Sequence, residues 1–393
     1  MCILRFLGFH LYDLYSITDQ VYGFVLIGTL SYIFGTIIRQ LFSKIKIRIF
    51  EKNNNSGFDI ASLRHVEFID LKKTAYGILI VALIIESLKI ALMLPIILQN
   101  GMAYARYLMQ VDQNVNLSGS LDILLLYFAK PYIRAYIIVY TVNSIKKGIK
   151  LTNILQVIVL ALTIFLTDGG RTTIFNIIIM LVFLLIRYRH KLSSRYKNRI
   201  VITSFIFFML FIMVTQQRNV NIFAQLYTYY CGSLSYLSQA LGSNYLFDEV
   251  TYGYASLQGI LNPIFGLFGI IGIKDPHILQ YANEFTMNAQ SFTVYISRSE
   301  FMNYYMTCFG YAFKDGGYIA LILLLTALGY FYSSIDKKQL KNDIITDSVK
   351  IWGYQTLLFT MSIYPLASYN NVMTLVYVFI ITSEMLTIER CVD

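Results

Sequence analysis

Apolar residues follow one another along most of this chain in long runs, and polar segments separate the runs. A helix that crosses a hydrocarbon core of about 30 Å needs about 20 apolar residues, because each residue adds about 1.5 Å. By this criterion the pattern predicts spans at 20–38, 74–98, 122–145, 151–167, 172–186, 200–214, 318–335, 351–367 and 371–388. The predicted fold class is an all-α polytopic integral membrane protein with about 9–11 transmembrane helices.

The basic residues are unevenly distributed among the segments between the runs. Segments 39–73, 146–150, 187–199, 336–350 and 389–393 hold 22 of the 32 Lys and Arg residues, whereas the alternate segments hold 7. Because Lys and Arg are retained on the cytoplasmic side, this asymmetry predicts an external N-terminus and a cytoplasmic C-terminus.

The largest segment between two predicted spans is 215–317, which this orientation places outside. It is rich in tyrosine, and its apolar stretch 257–273 is broken by Pro263 and several glycines. We interpret that stretch as re-entrant or interfacial, because a single extra span would put the basic segment 336–350 outside. A pair of spans at 226–241 and 257–273 would keep the orientation and stays open. The chain therefore divides into 1–214 with about six spans, the loop 215–317, and 318–393 with about three spans.

Composition excludes several classes of protein. Only 14% of the residues are charged, against about 25% in soluble domains. The net charge is +10, but the basic residues that produce it lie in the segments between apolar runs rather than on one folded face. Nucleic acid is therefore not an expected partner. The cysteines form no CxxC pair and no metal-binding motif occurs, so we expect no metal and no cofactor. A bridge between Cys231 and Cys308 stays open.

Four ionisable residues fall inside predicted spans, where charge is costly and requires a reason. Glu86 and Arg134 lie at similar depths of about 16 to 18 Å, counted at 1.5 Å per residue from the cytoplasmic ends, and we predict an intramembrane ion pair between them. Lys89 and Lys130 lie nearer the outer surface. They either snorkel or attract an anionic lipid headgroup.

Two arginines occupy predicted outer boundaries. Arg171 lies in the hairpin TDGGRTT at 167–173, beside the N-terminus of a helix, where backbone donors favour anions. Arg218 lies in TQQRN, directly after the sixth predicted span. Both are candidates for binding an anionic substrate, and anchoring to lipid phosphate is the alternative.

The end of the loop, FMNYYMTCFGYAFKDGG at 301–317, leads straight into the next span. Asn303, Asp315 and the tyrosines supply groups suited to hydroxyl-rich ligands. An aromatic belt at the membrane interface would place tyrosines in the same positions, so both interpretations stay open.

The order of these motifs resembles the Wzy-type polymerases of bacterial O-antigen and capsule repeat units. The resemblance rests on the Gly-Gly-Arg-Thr turn at 169–172, the QxR at 216–218, and the stretches YTYYCGSLSYLSQAL at 227–241 and YGYASLQGI at 252–260. The run formed by Asn303, Tyr305, Asp315 and Gly317 completes it. The resemblance extends over about 150–390.

This resemblance implies a GT-C-like, metal-independent glycosyltransferase of the bacterial cytoplasmic (inner) membrane. It would transfer a growing glycan from undecaprenyl pyrophosphate to the next carrier-linked repeat unit on the outer side, yielding O-antigen or capsular polysaccharide. Implied partners are the lipid-linked oligosaccharide, the lipid bilayer, and a chain-length regulator and flippase of the same pathway.

Such a reaction needs fixed cations for the pyrophosphate and a base for the acceptor hydroxyl. The candidate pyrophosphate- and glycan-binding residues are Arg171, Arg218, Arg298, Asn303 and Tyr305. The candidate bases are Asp315, Glu249 and Asp168. Two rival functions stay open: a ligase that transfers the finished glycan to another acceptor, and a lipid-linked glycan transporter or flippase that uses the intramembrane charges.

Overall fold

The protein is mainly helical in the part of the chain that the structure describes. The computed structural model describes residues 14–53, 73–111, 119–148, 150–168, 172–190, 192–216, 227–243, 246–270, 272–298, 301–303, 306–337 and 343–386. Of these residues, 84% are helical, and the strands form one two-stranded hairpin. The predicted all-α class is confirmed.

The helices fall into three groups along the chain. The first group is α1 (Asp19–Asn53), α2 (Lys73–Val111), α3 (Gly119–Leu124), a π-helix (Leu125–Ala129), α4 (Lys130–Lys147), α5 (Leu151–Asp168), α6 (Thr172–Tyr188) and α7 (Ser194–Gln216). The middle group is a second π-helix (Thr228–Gly232), α8 (Ser233–Leu241), α9 (Gln258–Ile270), α10 (His277–Ser291), β1 (Thr293–Tyr295), β2 (Phe301–Asn303) and α11 (Thr307–Lys314). The last group is α12 (Gly317–Lys337), α13 (Asp343–Leu358), a 3₁₀-helix (Pro365–Ala367) and α14 (Tyr369–Leu386).

Long apolar helices confirm a polytopic membrane protein. Among the described residues, six helices are long and apolar enough to cross a membrane: Asp19–Phe42, Lys73–Met102, Leu121–Lys147, Leu151–Asp168, Ser194–Met213 and Gly317–Asp336. Two shorter apolar helices are Thr172–Tyr188 and Tyr369–Ser383. All eight coincide with predicted runs.

The ninth predicted run, 351–367, has the wrong bounds. Its helix α13 starts earlier, at Asp343, and ends at Leu358, after which the chain turns into the 3₁₀-helix that starts at Pro365. A proline lacks an amide N–H and disfavours helical geometry in the residue before it. The apolar side chains of 359–367 therefore belong to a turn, which hydropathy alone does not distinguish from a helix.

Buried apolar side chains of the described residues form two large clusters. The first joins α2, α4–α7, α13 and α14. The second joins α1 and α12 with the helices of the predicted loop 215–317. In the second cluster α1 and α12 cross closely, since a Cβ added at Gly35 would overlap the Thr326 carbonyl oxygen and one at Gly329 would overlap that of Tyr32. Small residues at such crossings let two membrane helices approach.

The described residues of the segment 215–317 are largely helical. Its helices α8 and α9 hold 9 and 13 residues, which at 1.5 Å per residue is shorter than the about 30 Å of a bilayer core. Tyr236 and Tyr311 of this segment are buried in the second cluster. Cys231 and Cys308 are both buried and form no disulfide, so the bridge that the sequence left open is absent.

Candidate functional site

A cluster of charged side chains lies between α4 and the C-terminal end of α5. The Lys130 ammonium donates to Asp168 Oδ1 at 2.6 Å, and Arg134 Nη2 donates to Asp168 Oδ2 at 3.1 Å. Lys130 and Arg134 are four residues apart, so they lie on one face of α4. Asp168 is the last residue of α5, where the negative end of the helix dipole makes a carboxylate dependent on nearby cations.

The predicted ion pair between Glu86 and Arg134 is wrong, because Arg134 pairs with Asp168 instead. Glu86 is fully buried on α2, and neither of its carboxylate oxygens has a hydrogen-bond partner. The neighbouring hydroxyl of Thr167 on α5 does not supply a partner for Glu86, because it donates to its own helix, to the Ile164 carbonyl at 3.1 Å. The sequence correctly indicated charged groups that require one another, but it paired them incorrectly.

Lys130 on α4 and Asp168 on α5 lie at the same distance along their helices from the junction of α4 and α5. Lys130 lies 17 residues from Lys147, and Asp168 lies 17 residues from Leu151, where α4 and α5 are joined. At 1.5 Å per residue both distances are about 26 Å, within the about 30 Å of a hydrocarbon core. Residues 119–129 extend the α4 helix beyond the cluster. The charges therefore lie at membrane depth, toward the side of the bilayer opposite the α4–α5 junction.

The next helix, α6, begins beside the cluster. Its Thr173 hydroxyl lies 3.5 Å from Asp168 Oδ2 and donates toward it. The first amides of α6 and its positive dipole end therefore lie near the same group. Arg171, the predicted anion-binding residue of this turn, lies outside the described residues.

A cavity with an empty volume of about 540 Å³, including its mouth, opens next to Arg134. Its walls come from α4, α5, α6, α13, the turn after α13, and α14. The polar lining residues are Arg134, Thr173, Asn176, Gln355, Thr356, Asn371 and Thr374. The other lining residues are Ile137, Ile138, Ile164, Ile177, Met180, Trp352 and Phe359.

The predicted base Asp315 is not free to take a proton from a substrate. It is buried, and its carboxylate accepts from the Thr251 hydroxyl at 2.6 Å and from the backbone amides of Ala255 and Ser256 at 2.9 Å each. These two amides precede α9, so Asp315 supplies a negative charge near its N-terminus. We assign Asp315 a structural role, and this corrects the prediction made from the sequence.

Lys314, next to Asp315, is also held inside the protein. Its ammonium lies 3.6 Å from an Asp248 carboxylate oxygen and 5.3 Å from the centre of the Phe285 ring. Burial lowers the pKa of Lys314, and the negative charge of Asp248 opposes that shift. These contacts tie the turn 246–257 to α10 and α11.

The remaining predicted site residues do not join the cluster in the described part of the chain. Glu249 and Arg298 are both exposed. Asn303 pairs with Thr293 in the hairpin through its backbone, and its side chain is outside the described residues. Arg218 and Tyr305 also lie outside the described residues.

Sequence reasoning missed the uncharged polar residues of the cavity. Asn176 lies in the predicted span 172–186, and Gln355 in 351–367, each as an isolated amide among apolar residues. Polar side chains inside membrane spans are rare and commonly functional. That signal was present in the sequence, but nothing in it showed that the two helices meet.

Among the described residues, no group of three or more His, Cys, Asp and Glu side chains could hold a metal ion. Comparison of the chain with protein-family models, with curated proteins and with solved structures finds no match.

Proposed function

We propose that this protein polymerises undecaprenyl-pyrophosphate-linked oligosaccharide repeat units into O-antigen or capsular polysaccharide. In this proposal it is a metal-independent, GT-C-like glycosyltransferase of the bacterial inner membrane that acts on the outer side. One observation carries the proposal: the paired cations Lys130 and Arg134 lie at membrane depth, and Arg134 also lines a cavity. A pyrophosphate attached to a membrane lipid would be presented at such a depth.

The reaction requires negative charge to be stabilised on the departing group. The bond between the anomeric carbon and the pyrophosphate oxygen breaks, and the lipid pyrophosphate leaves with the electron pair. The acceptor hydroxyl forms the new bond to the anomeric carbon and loses its proton. Fixed cations lower the barrier because they are already oriented toward the charge that develops.

Lys130 and Arg134 are suited to this role because one carboxylate orients both. The trio of Lys130, Arg134 and Asp168 keeps one net positive charge, and its side chains are at most 22% exposed. Charges screened so little from one another interact more strongly than they would in water. Arg171, Arg218 and Arg298 stay candidates for further contacts to the pyrophosphate, and Asn303 and Tyr305 for contacts to the glycan.

The three candidate bases differ in the groups that surround them. Asp315 is bound by three donors and Asp168 by two cations. Glu249 is exposed to solvent. Glu249 also does not join the charged cluster, so in our proposal the proton of the acceptor hydroxyl passes to water or to the departing pyrophosphate.

The test uses the purified full-length protein in nanodiscs with undecaprenyl-pyrophosphate-linked repeat units, EDTA, and no nucleotide sugar. A gel ladder with a spacing of one repeat unit is the expected product. Arg134→Gln should slow the reaction by about 100-fold, as loss of one transition-state donor does. Arg195→Gln, which removes an exposed arginine of α7, is the matched control and should leave the ladder unchanged.

Folding and activity must be separated in this experiment. Each variant is first checked for a single size-exclusion peak and a melting temperature near that of the parent. Arg134→Lys keeps the charge and should restore part of the rate. A folded Arg134→Gln protein that polymerises at the parental rate would refute the assignment, and transfer of a single glycan to an added acceptor would identify a ligase instead.

A transporter of lipid-linked glycans is the second candidate, and Glu86 is the observation that favours it. A fully buried carboxylate without a hydrogen-bond partner, at membrane depth, is typical of ion-coupled transport paths. Liposomes with a fluorescent lipid-linked glycan on one leaflet test this function. Translocation without a ladder would favour the transporter over the polymerase.

A further inference from the structure

Glu86 is a buried acid that the proposed reaction does not use. It lies on α2, 13 residues after Lys73, which at about 1.5 Å per residue is about 20 Å along the helix. Its relative exposure is 0%, and neither of its carboxylate oxygens has a hydrogen-bond partner. Ionisable groups at membrane depth are costly unless they are paired, so Glu86 requires a physical reason.

The cations of α4 that act on Glu86 are already bound to another acid. Lys130 and Arg134 both donate to the carboxylate of Asp168 on α5, at 2.6 and 3.1 Å. Glu86 interacts with their charges from a distance, but it accepts no hydrogen bond from them. The negative charge of Asp168 also acts on Glu86, and it repels a second carboxylate.

The uncharged groups of the neighbouring helices supply no donor either. Helix α2 packs against α5, the first π-helix and α4. The Thr167 hydroxyl of α5 gives its hydrogen to the Ile164 carbonyl at 3.1 Å. The titratable residue of that π-helix is Tyr127, and its ring contacts the ring of Tyr369 on α14.

The charges around Glu86 do not balance unless Glu86 itself is ionised. Lys89, three residues further along α2, interacts electrostatically with Asp122 of α3 as well as with Glu86. The surrounding groups are thus three cations and two acids: Lys89, Lys130, Arg134, Asp122 and Asp168. The net charge of this region is zero if Glu86 is ionised, and it is one positive charge if Glu86 is neutral.

The missing hydrogen bonds decide between these two states. Water stabilises a carboxylate ion by donating hydrogen bonds, and at Glu86 burial removes these bonds without replacing them. Cations beyond hydrogen-bond distance recover part of this loss, and repulsion by Asp168 reduces what they recover. A proton removes the charge altogether. It needs no cavity, because it forms a covalent bond to one carboxylate oxygen.

We propose that Glu86 is a proton-binding site, which the folded protein holds as a neutral carboxylic acid. One O–H bond forms on the carboxylate, and no other bond changes. With the proton in place, the trio of Lys130, Arg134 and Asp168 keeps the net positive charge that an ionised Glu86 would cancel. Binding of a proton at Glu86 and binding of an anion at this trio therefore favour each other.

The two parts of this inference have different premises. The proton at Glu86 follows from burial and hydrogen bonding alone. Its effect on a lipid pyrophosphate rests on the proposed function, because it assumes that such a lipid binds at Lys130 and Arg134. The two parts are therefore tested by separate measurements.

Infrared spectroscopy detects the proton directly. The full-length protein is measured in dodecyl maltoside, which has no carbonyl group, at about pH 7.5, where exposed Asp and Glu are ionised. The parent should show the C=O band of a protonated acid, shifted in D₂O, and Glu86→Gln should lose this band and keep the carboxylate bands. Glu249→Gln, which removes an exposed acid, is the matched control and should do the opposite. Loss of carboxylate intensity in Glu86→Gln would overturn the inference.

Folding is checked before the spectra are compared. Glu86→Gln keeps the shape and the neutral charge of the protonated acid, so its melting temperature should stay near that of the parent. If this variant does not fold, Glu86→Met, which is also uncharged, replaces it. A folded parent without any band of a protonated acid overturns the inference and requires no variant.

Lipid binding tests the coupling between proton and anion. The protein in nanodiscs is titrated with undecaprenyl pyrophosphate at about pH 7.5 and at the pH at which the acid band disappears. The affinity of the parent should fall about tenfold more than that of Glu86→Gln, as expected for one unit charge about 10 Å away in an effective dielectric constant of about 20. Glu86→Gln shares every other titrating group and so corrects for them. Equal falls, or a band that persists until the protein unfolds, would refute the coupling.

Failure of this inference can be told apart from failure of the proposed function. A protein that forms the polymer ladder but has no protonated Glu86 is a polymerase to which the inference does not apply. A protein with a protonated Glu86 that never forms a ladder holds the proton for another purpose, such as transport. If the folded parent shows neither the acid band nor a ladder, both proposals are wrong.

Discussion

Replacing Asp315 separates a structural carboxylate from a catalytic one. Its oxygens accept three hydrogen bonds of 2.6, 2.9 and 2.9 Å, and the residue is only 3% exposed. Asp315→Ala removes all three and leaves the amides of Ala255 and Ser256 without this acceptor. Asp315→Asn keeps the shape but places an N–H₂ group among donors.

The magnitude follows from the number and type of these bonds. A hydrogen bond to a charged group contributes about 1.5–3 kcal/mol, but bonds that share one carboxylate are not additive and water replaces part of them. We therefore expect Asp315→Ala to lower the local free energy of opening of the turn 246–257 by about 4 kcal/mol, and Asp315→Asn by about 2 kcal/mol.

Hydrogen exchange read by mass spectrometry measures this opening directly. A loss of about 4 kcal/mol corresponds to a fall of nearly a thousandfold in protection of the peptide that contains Ala255 and Ser256, since each 1.4 kcal/mol is about tenfold. Glu249→Gln, a neighbouring exposed carboxylate, is the control and should leave protection unchanged. Unchanged protection in Asp315→Asn, together with loss of the polymer ladder, would refute the structural assignment and restore Asp315 as a candidate base.

Three other predictions test the packing and charges that support the site. Asp168→Asn should lower the free energy of unfolding in mixed micelles by about 3 kcal/mol. The double variant with Lys130→Met should lose at least about 1 kcal/mol less than the sum of the two single variants, and additive losses would contradict the ion pair. Gly329→Ala should destabilise the protein by about 2 kcal/mol or more because its Cβ overlaps a carbonyl of α1; Gly23→Ala, whose Cβ would meet nothing within 4 Å, should not, and equal melting temperatures would refute the close crossing. Because burial lowers the pKa of Lys314 below its ordinary value of 10.5, the unfolded chain binds more protons there just below that pH, so Lys314 makes stability rise with pH in that window. Between about pH 8 and about pH 10 the melting temperature of Lys314→Met should rise less than that of the parent protein. An equal rise in both would contradict the lowered pKa of Lys314.

The sequence predicts which residues of the charged cluster need a partner, but not which partner each one has. The charges of Lys130 and Arg134 were recognised as needing a partner because ionisable residues are costly inside an apolar run. For Arg134 the sequence predicts Glu86 as the partner, because the two lie at similar depths, and it places Asp168 in the turn 167–173, outside the predicted spans. Which carboxylate reaches a cation depends on which helices touch, and hydropathy does not contain that information.

Contacts between residues distant in sequence also decide the roles of the tyrosines and of Asp315 in the segment 215–317. Tyr236 and Tyr311 are buried, whereas Tyr252 is 74% exposed, although all three occur in the same tyrosine-rich segment. Asp315 precedes two glycines and was interpreted as a free base, but Thr251 and the amides that follow it close around its carboxylate. A side chain more than 50 residues away in sequence supplies or receives these contacts, so no local pattern predicts them.

The sequence by itself determined the class of protein and the position of most helices. Runs of apolar residues of sufficient length must avoid water and satisfy their own backbone, which makes membrane helices a local property that can be read from the chain. Tertiary structure alone decided which helices meet at Gly329, which acid holds Arg134, and that Asn176, Gln355 and Asn371 line one cavity. The physical reason is that burial in a membrane depends on each residue's own transfer free energy, whereas a binding site depends on contacts between residues that packing brings together.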